Sequence, residues 1–222
     1  IARVRRLAPA LLSVLLLVTA VGMATLFPDE LMELLRQALA SQLYVANIYF
    51  WKNVNYFGLG ASDSFLLHMW SLAVEEQFYL LFPLALVGVH KYLRTFFWWA
   101  IGVGFVLSFG LALPMVASKT EATFYLLPTR AWELLVGSLT AFATLRWAPK
   151  RGAALWLGPM GLCLMAYSLV AYDLETVFPG WFALLPVVSA ALLLFAGRTP
   201  AIPTSRLMCN PVSSYLGRIS YP

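Results

Sequence analysis

An all-α bundle of transmembrane helices is the fold class this sequence predicts, and three observations carry the prediction. Of its 222 residues, 61% are hydrophobic and only 11% charged, which leaves too little polar surface to clothe a water-soluble fold. Mean hydropathy is +0.79, and apolar windows able to cross a hydrocarbon core of ~30 Å recur along the chain. Aromatic residues make up 15%, with 8 Trp among them, as suits side chains that anchor at membrane interfaces. No soluble domain, repeat or low-complexity stretch interrupts the pattern, so residues 1–222 read as one integral-membrane domain.

Six windows qualify as spans, at about residues 7–27, 68–89, 95–117, 125–145, 153–172 and 181–197. Proline marks loops and helix ends between them at Pro28, Pro128, Pro149, Pro179, Pro200 and Pro203, as expected of a residue that breaks helices. A seventh stretch, Gln37 to Trp51, is shorter and carries Gln37, Ser41, Gln42 and Asn47, so length alone does not decide whether it crosses.

Loop charge decides it. If that stretch does not cross, one side gathers Arg3, Arg5, Arg6, Lys91, Arg94, Arg146, Lys150, Arg151, Arg198, Arg206 and Arg218. The other gathers Asp29, Glu30, Glu33, Asp63, Glu121, Asp173 and Glu175. A single crossing would move the basic clusters after residues 89 and 145 outside, against the positive-inside tendency. Residues 37–66 therefore read as re-entrant or interfacial on the outer face, packed on protein or lining a wet cavity.

The net charge of +5 then serves orientation, and no nucleic-acid partner is expected. Cys163 and Cys209 are the only cysteines, so neither a disulfide framework nor a metal cluster is expected. The chain opens on Ile1 and closes on Ser220-Tyr221-Pro222, which reads as the middle of a longer protein, with no signal peptide expected.

Three groups of residues can carry chemistry. In His68-Met69-Trp70-Ser71-Leu72-Ala73-Val74-Glu75-Glu76-Gln77-Phe78-Tyr79, His68, Ser71, Glu75, Phe78 and Phe82 recur at helical spacing. At 1.5 Å per residue Glu75 lies ~10 Å in from His68, in the outer third of the membrane. Carboxylates facing lipid are costly, so Glu75 and Glu76 should face the bundle interior, water or a basic partner. One reading is a polar cavity for a hydroxylated acceptor or for protons; the other is an interhelical clamp, with Arg130 as partner. Arg130 and Glu133, three apart on one helix face, form a self-satisfied ion pair or complete the cavity of Glu75. Arg3, Arg5 and Arg6 flank the first span as a topology signal, while Arg3 and Arg6 also have the spacing to converge on one phosphate.

The run His68 to Tyr79 resembles the signature of the family-3 membrane acyltransferases, the group that includes O-antigen and peptidoglycan O-acetyltransferases. Further stretches agree in the family's order: Arg3 to Leu11, similar to its Arg-x-x-Arg segment; Phe124 to Glu133; Phe178-Pro179-Gly180; and Tyr215 to Tyr221. The resemblance implies a helical bundle in the cytoplasmic membrane that takes an acyl group, usually acetyl, from cytoplasmic acyl-CoA to an extracytoplasmic hydroxyl, commonly on a glycan. It implies that Arg3 and Arg6 contact CoA, and that Glu75 and Glu76 belong to a central cavity as supporting groups. Trp70, Ser71, Tyr79, Arg130 and Glu133 then line the acceptor side. Acyl-CoA enters as co-substrate, with no bound cofactor and no metal.

The family's catalytic histidine is expected on an earlier helix that this chain does not contain, and the final helices after Tyr221. His68 is not that histidine's counterpart and stays a weak catalytic candidate; the fragment alone is expected to be inactive. A secondary transporter or proton-coupled permease is the alternative reading, since membrane carboxylates and broken segments are common there. In a third, a scaffold, the carboxylates only pair helices.

Overall fold

The computed structural model describes residues 2–53, 64–92, 97–147, 149–173, 176, 178–199 and 202–219, with side chains described from Leu7 in the first helix and from Trp99 in the fifth. Asp63, Arg94, Glu175, residues 54–63 of the expected re-entrant segment, residues 220–222 and the side chains of Arg3, Arg5 and Arg6 lie outside this set. Every element described is helical. The chain gathers into two compact units, one from Ile1–Arg94 with Tyr125–Leu127, the other from Thr95–Phe124 with Pro128–Tyr221.

In the first unit α1 (Ala2–Thr25) carries an apolar stretch of 19 residues, Leu7–Thr25. Leu11 and Leu15 on its inward side pack with Leu34 and Leu66. Pro28 opens α2 (Pro28–Gln42) at the first helical position, where its fixed φ and missing N–H cost nothing. Asp29 and Glu30 fill the first turn, which favours negative charge. The Glu30 carboxylate also accepts a hydrogen bond from the Phe27 N–H at 3.1 Å.

The end of α2 breaks the stretch Gln37 to Trp51. The Val45 N–H donates to the Ala40 carbonyl at 2.9 Å and the Tyr44 N–H to that of Ser41 at 3.1 Å, with Tyr44 at φ 55°. This is the Schellman stop, whose left-handed position glycine usually fills. A tyrosine there carries a backbone cost of roughly 1–2 kcal/mol. Helix α3 (Ala46–Asn53) restarts at once, and with 15 and 8 residues neither piece matches the ~20 residues of a spanning helix.

Helix α4 begins at Met69, one residue after the expected window opens at His68, and runs to Tyr92. The delay has a cause. The Met69 and Trp70 N–H groups bond the carbonyls of Leu66 and Leu67, a tight turn three residues deep. Leu66 itself is buried, and its N–H is taken by the Gln37 side chain at 3.3 Å. His68 therefore stands in the turn before α4, exposed.

The second unit holds α5 (Phe97–Ser118), α6 (Thr120–Tyr125, whose last residue counts with the first unit), α7 (Leu127–Arg146), α8 (Arg151–Ala171), a 3-10 turn (Trp181–Ala183), α9 (Leu184–Ala196), α10 (Pro203–Met208) and α11 (Pro211–Ile219). The expected window 125–145 thus opens two residues late, as α7. Within the first turn of α7 the Ser108 hydroxyl of α5 donates to the Pro128 carbonyl at 2.6 Å and accepts from the Trp132 N–H at 2.9 Å. It occupies the place of the ordinary helical bond between residues 132 and 128. Helices α8 and α9 approach closely because Gly161 is small: a Cβ there would lie 2.8 Å from Leu193 Cγ and 3.0 Å from the Ser189 carbonyl oxygen, the packing that small residues permit between apolar helices.

Among the described residues, four stretches are long and apolar enough to cross a membrane: Leu7–Thr25, Met69–Tyr92, Trp99–Ser118 and Arg151–Ala171. Of the other two expected spans, α7 has 20 residues but carries Arg130, Glu133 and Arg146. The last is a 3-10 turn of 3 residues followed by 13 of α-helix. Leu16, Leu17, Val87, Trp156, Leu169 and Val170 are largely exposed on the long helices, an outer surface suited to lipid and not to water. The chain is that of a helical membrane protein.

Candidate functional site

The first candidate locus lies on the opening turns of α4. Ala73, Val74 and Phe78 are buried there, so this end of the helix is the part gripped by protein, and Glu75 and Glu76 beside them are half-buried. Both residues interact with other groups. Phe78 stacks on Phe82 at 4.8 Å and meets the edge of Tyr79 at 6.0 Å, while Tyr79 itself is exposed. The exposed Ser71 donates its hydroxyl to the His68 carbonyl at 3.1 Å. Trp70 meets Tyr125 edge-on at 5.5 Å, and Tyr125 stacks on Phe50 at 6.4 Å.

A polar framework absent from the sequence reading surrounds this locus. The Gln77 amide N–H groups donate to the Tyr44 carbonyl and to Asn47 Oδ1, both at 2.8 Å. Asn47 in return donates to Gln77 Oε1 at 3.3 Å and to the Tyr125 carbonyl at 3.2 Å. Asn47 is 1% exposed, so its amide depends wholly on these partners. Burial first, and then the Glu76 charge, push the Tyr44 phenol above its ordinary pKa. One step further out, Glu33 Oε1 accepts from the Tyr49 hydroxyl at 2.7 Å and from Gln37 at 3.1 Å. Burial and then Glu33 push the Tyr49 phenol up to about 12. The signal available was the run of amides, Gln37, Asn47 and Gln77, in an otherwise apolar chain.

The second locus lies in the other unit. Arg130 and Glu133 form an ion pair at 2.9 Å, with side chains 15% and 17% exposed, as their spacing allowed. The guanidinium lies over the Phe124 and Phe178 rings, 5.6 Å from each centroid. Phe178 is brought there by the Phe178-Pro179-Gly180 corner. Gly180 has φ 64° and its missing side chain faces Val116 at 3.3 Å, so only glycine fits without strain. Glu133 also borders an apolar cavity of about 300 Å³ with Val136, Gly137, Phe178, Pro186 and Val187. Its Oε1 is buried with no hydrogen-bond partner among the described residues.

Arg3 and Arg6 belong to the opening turns of α1. Tyr215 to Ile219 lie on α11, a helix with no buried residue.

The model of the family-3 acyltransferase domain matches this chain along residues 1–222. The chain belongs to the family-3 acyltransferases. Its relatives include O-acetyltransferase OatA of Staphylococcus aureus (strain NCTC 8325 / PS 47), 26% identical over 99% of this chain and 38% of the relative. A provisionally named O-acetyltransferase of Staphylococcus aureus (strain COL) is 28% identical over 100% of this chain and 38% of its own. An uncharacterised Haemophilus influenzae protein is 31% identical over 63% of this chain and 60% of its own. The chain therefore spans 38% of the length of the first curated relatives it matches. No solved structure matches it significantly. Within this family-3 acyltransferase chain, the carboxylates on α4 and the ion pair on α7 are the groups in which chemistry can be sought.

Proposed function

We propose that this family-3 acyltransferase chain is the central part of a multi-pass O-acyltransferase of the cytoplasmic membrane. It would move an acetyl group from cytoplasmic acetyl-CoA to a hydroxyl of an extracytoplasmic glycan or similar acceptor. The match of the acyltransferase domain along residues 1–222, with relatives named O-acetyltransferases, carries this reading. Acyl-CoA is a co-substrate in it, and no bound cofactor or metal is required.

The reaction sets a demand on distance. The acceptor oxygen bonds to the thioester carbonyl carbon, its proton passes to a base, the carbon–sulfur bond breaks and CoA leaves as the thiol. Helix α1 has 24 residues, ~36 Å end to end, with Arg3 and Arg6 in its opening turns and the acidic start of α2 beyond its other end. Helices α2 and α3 both pack against α4, whose opening turns carry Glu75 and Glu76. The membrane thickness less the depth of Glu75 separates the arginines from the glutamates by ~20 Å. In this reading Arg3 and Arg6 hold CoA phosphates on the cytoplasmic side, and the pantetheine arm enters the bundle or the acyl group is relayed across it. Glu75, Glu76, Trp70, Ser71 and Tyr79 are candidates for shaping the acceptor side, and Arg130 with Glu133, in the other unit, is a separate candidate. A histidine outside this chain acts as base, with His68 a weak candidate.

The test is kinetic. In the full-length protein, Arg3→Ala and Arg6→Ala should each raise KM for acetyl-CoA about tenfold, the worth of a charge-assisted contact, and leave KM for the acceptor in place. An unchanged KM for acetyl-CoA removes the phosphate role.

A further inference from the structure

Of the stretch Tyr215 to Tyr221, residues Tyr215 to Ile219 lie on α11 and take no part in the reaction above. Val212, Tyr215, Leu216 and Ile219 are the large apolar residues of this helix, each more than half exposed. Their spacing, i, i+3, i+4 and i+7, sets them on one stripe, with Ser213, Ser214, Gly217 and Arg218 around the remainder. Turned to water, such a face is unfavourable.

Contacts on either side of α10 fix where that face lies. Asn210 caps α11: its Oδ1 accepts from the Ser213 N–H at 2.9 Å while its Nδ2 donates to the Leu207 carbonyl at 2.6 Å. The Ser213 hydroxyl donates to the same carbonyl at 3.1 Å, so hydrogen bonds hold the corner between α10 and α11. Just before α10, Ile202 is buried with Ala154 and Ala196, and the Thr199 hydroxyl donates to the Pro149 carbonyl at 3.1 Å. Ala154 lies about one turn into α8, a stretch able to span a membrane that opens at Arg151. The corner therefore sits at the end of a span, where hydrocarbon meets headgroups. With 9 residues, α11 is too short to cross.

Charge marks the same end. Arg146, Lys150, Arg151, Arg198, Arg206 and Arg218 are exposed, and the sequence has no acidic residue from 134 to 172 or after Glu175. Arg218 turns back along the polar face, its Nε donating to the Ser214 carbonyl at 3.4 Å, which keeps it off the apolar stripe. Cover by protein would account for the stripe but not for six bases without an acid among them. A bilayer with anionic lipid meets both, its acyl boundary taking the stripe and its phosphates the bases.

We propose that α11 is an interfacial helix that docks on the anionic lipid surface at the Arg151 end of α8. Val212, Tyr215, Leu216 and Ile219 enter the acyl boundary, and Arg206 and Arg218 lie among the headgroups. The proposal rests on the membrane fold and is independent of the acetyl-transfer reading.

The experiment uses the full-length protein with a nitroxide on Leu216→Cys or on Ser214→Cys, its other cysteines, Cys163 and Cys209 among them, replaced by serine. It is reconstituted in vesicles of phosphatidylcholine, alone or mixed with phosphatidylglycerol. In the mixed vesicles the Leu216 label should collide more with oxygen, which partitions into lipid, than with a water-soluble nickel chelate. The Ser214 label should show the reverse. Arg218→Gln should lower the ratio of immersed to exposed Leu216 label about fivefold in the mixed vesicles, the worth of one base near an anionic surface, and leave it unchanged in phosphatidylcholine alone. A Leu216 label that meets chiefly the chelate, or one shielded from both reagents by another part of the protein, overturns the proposal. So does a ratio that neither phosphatidylglycerol nor Arg218→Gln alters.

Discussion

Arg130 and Glu133 show what a buried charge requires. Each is five-sixths covered, and the two aromatic rings over the guanidinium leave little room for water to replace a lost partner. Arg130→Ala strands the Glu133 carboxylate and should cost about 3 kcal/mol, the low end for a broken buried pair because both side chains keep some exposure. Replacing both together, Arg130→Met with Glu133→Leu, should cost far less. Unfolding of the purified variants in detergent measures both, and equal losses would contradict the account. This pair was legible in the sequence because its partners are three residues apart on one helix. The Asn47–Gln77 clasp was not: its members are 30 residues apart, and which amide meets which is decided by how α3 lies on α4. The Tyr44 corner was hidden for the opposite reason, since the sequence places tyrosine where a turn of this kind normally advertises itself by glycine.

At the scale of elements, the apolar windows found the long helices and mistook some of their ends. Periodicity cannot see a break made by backbone bonds, so the stretch Gln37 to Trp51 read as one candidate although α2 stops at Gln42 and α3 restarts at Ala46. Nor can it see the Ser108 hydroxyl that completes the first turn of α7 from α5. Helix contact is the firmer ground for prediction. Gly161→Val puts atoms within 3.0 Å of the Ser189 carbonyl, backbone that cannot swing aside, and should destabilise the α8–α9 pair by about 1–3 kcal/mol. Gly152→Ala, on the same helix with nothing within 4 Å of its new Cβ, should be neutral or slightly stabilising. Equal losses in the two variants, measured by unfolding in detergent, would show that close approach does not hold these helices.

For the whole molecule, composition announced a helical membrane protein and the ordered motifs announced the acyltransferase family; the match along residues 1–222 bears the second out. What composition could not supply is where the two ends of the reaction lie. The proposed reading assigns the arginines in the opening turns of α1 to the donor and the glutamates in those of α4 to the acceptor, on opposite faces ~20 Å apart. The most direct test is vectorial. Full-length protein in sealed inside-out vesicles, with a hydroxyl-bearing glycan trapped in the lumen, receives radiolabelled acetyl-CoA from the outside, which is the cytoplasmic face. Label bound to the trapped glycan, and none on the same glycan added outside, is the result expected. Label appearing only on glycan that shares a compartment with acetyl-CoA would contradict the account.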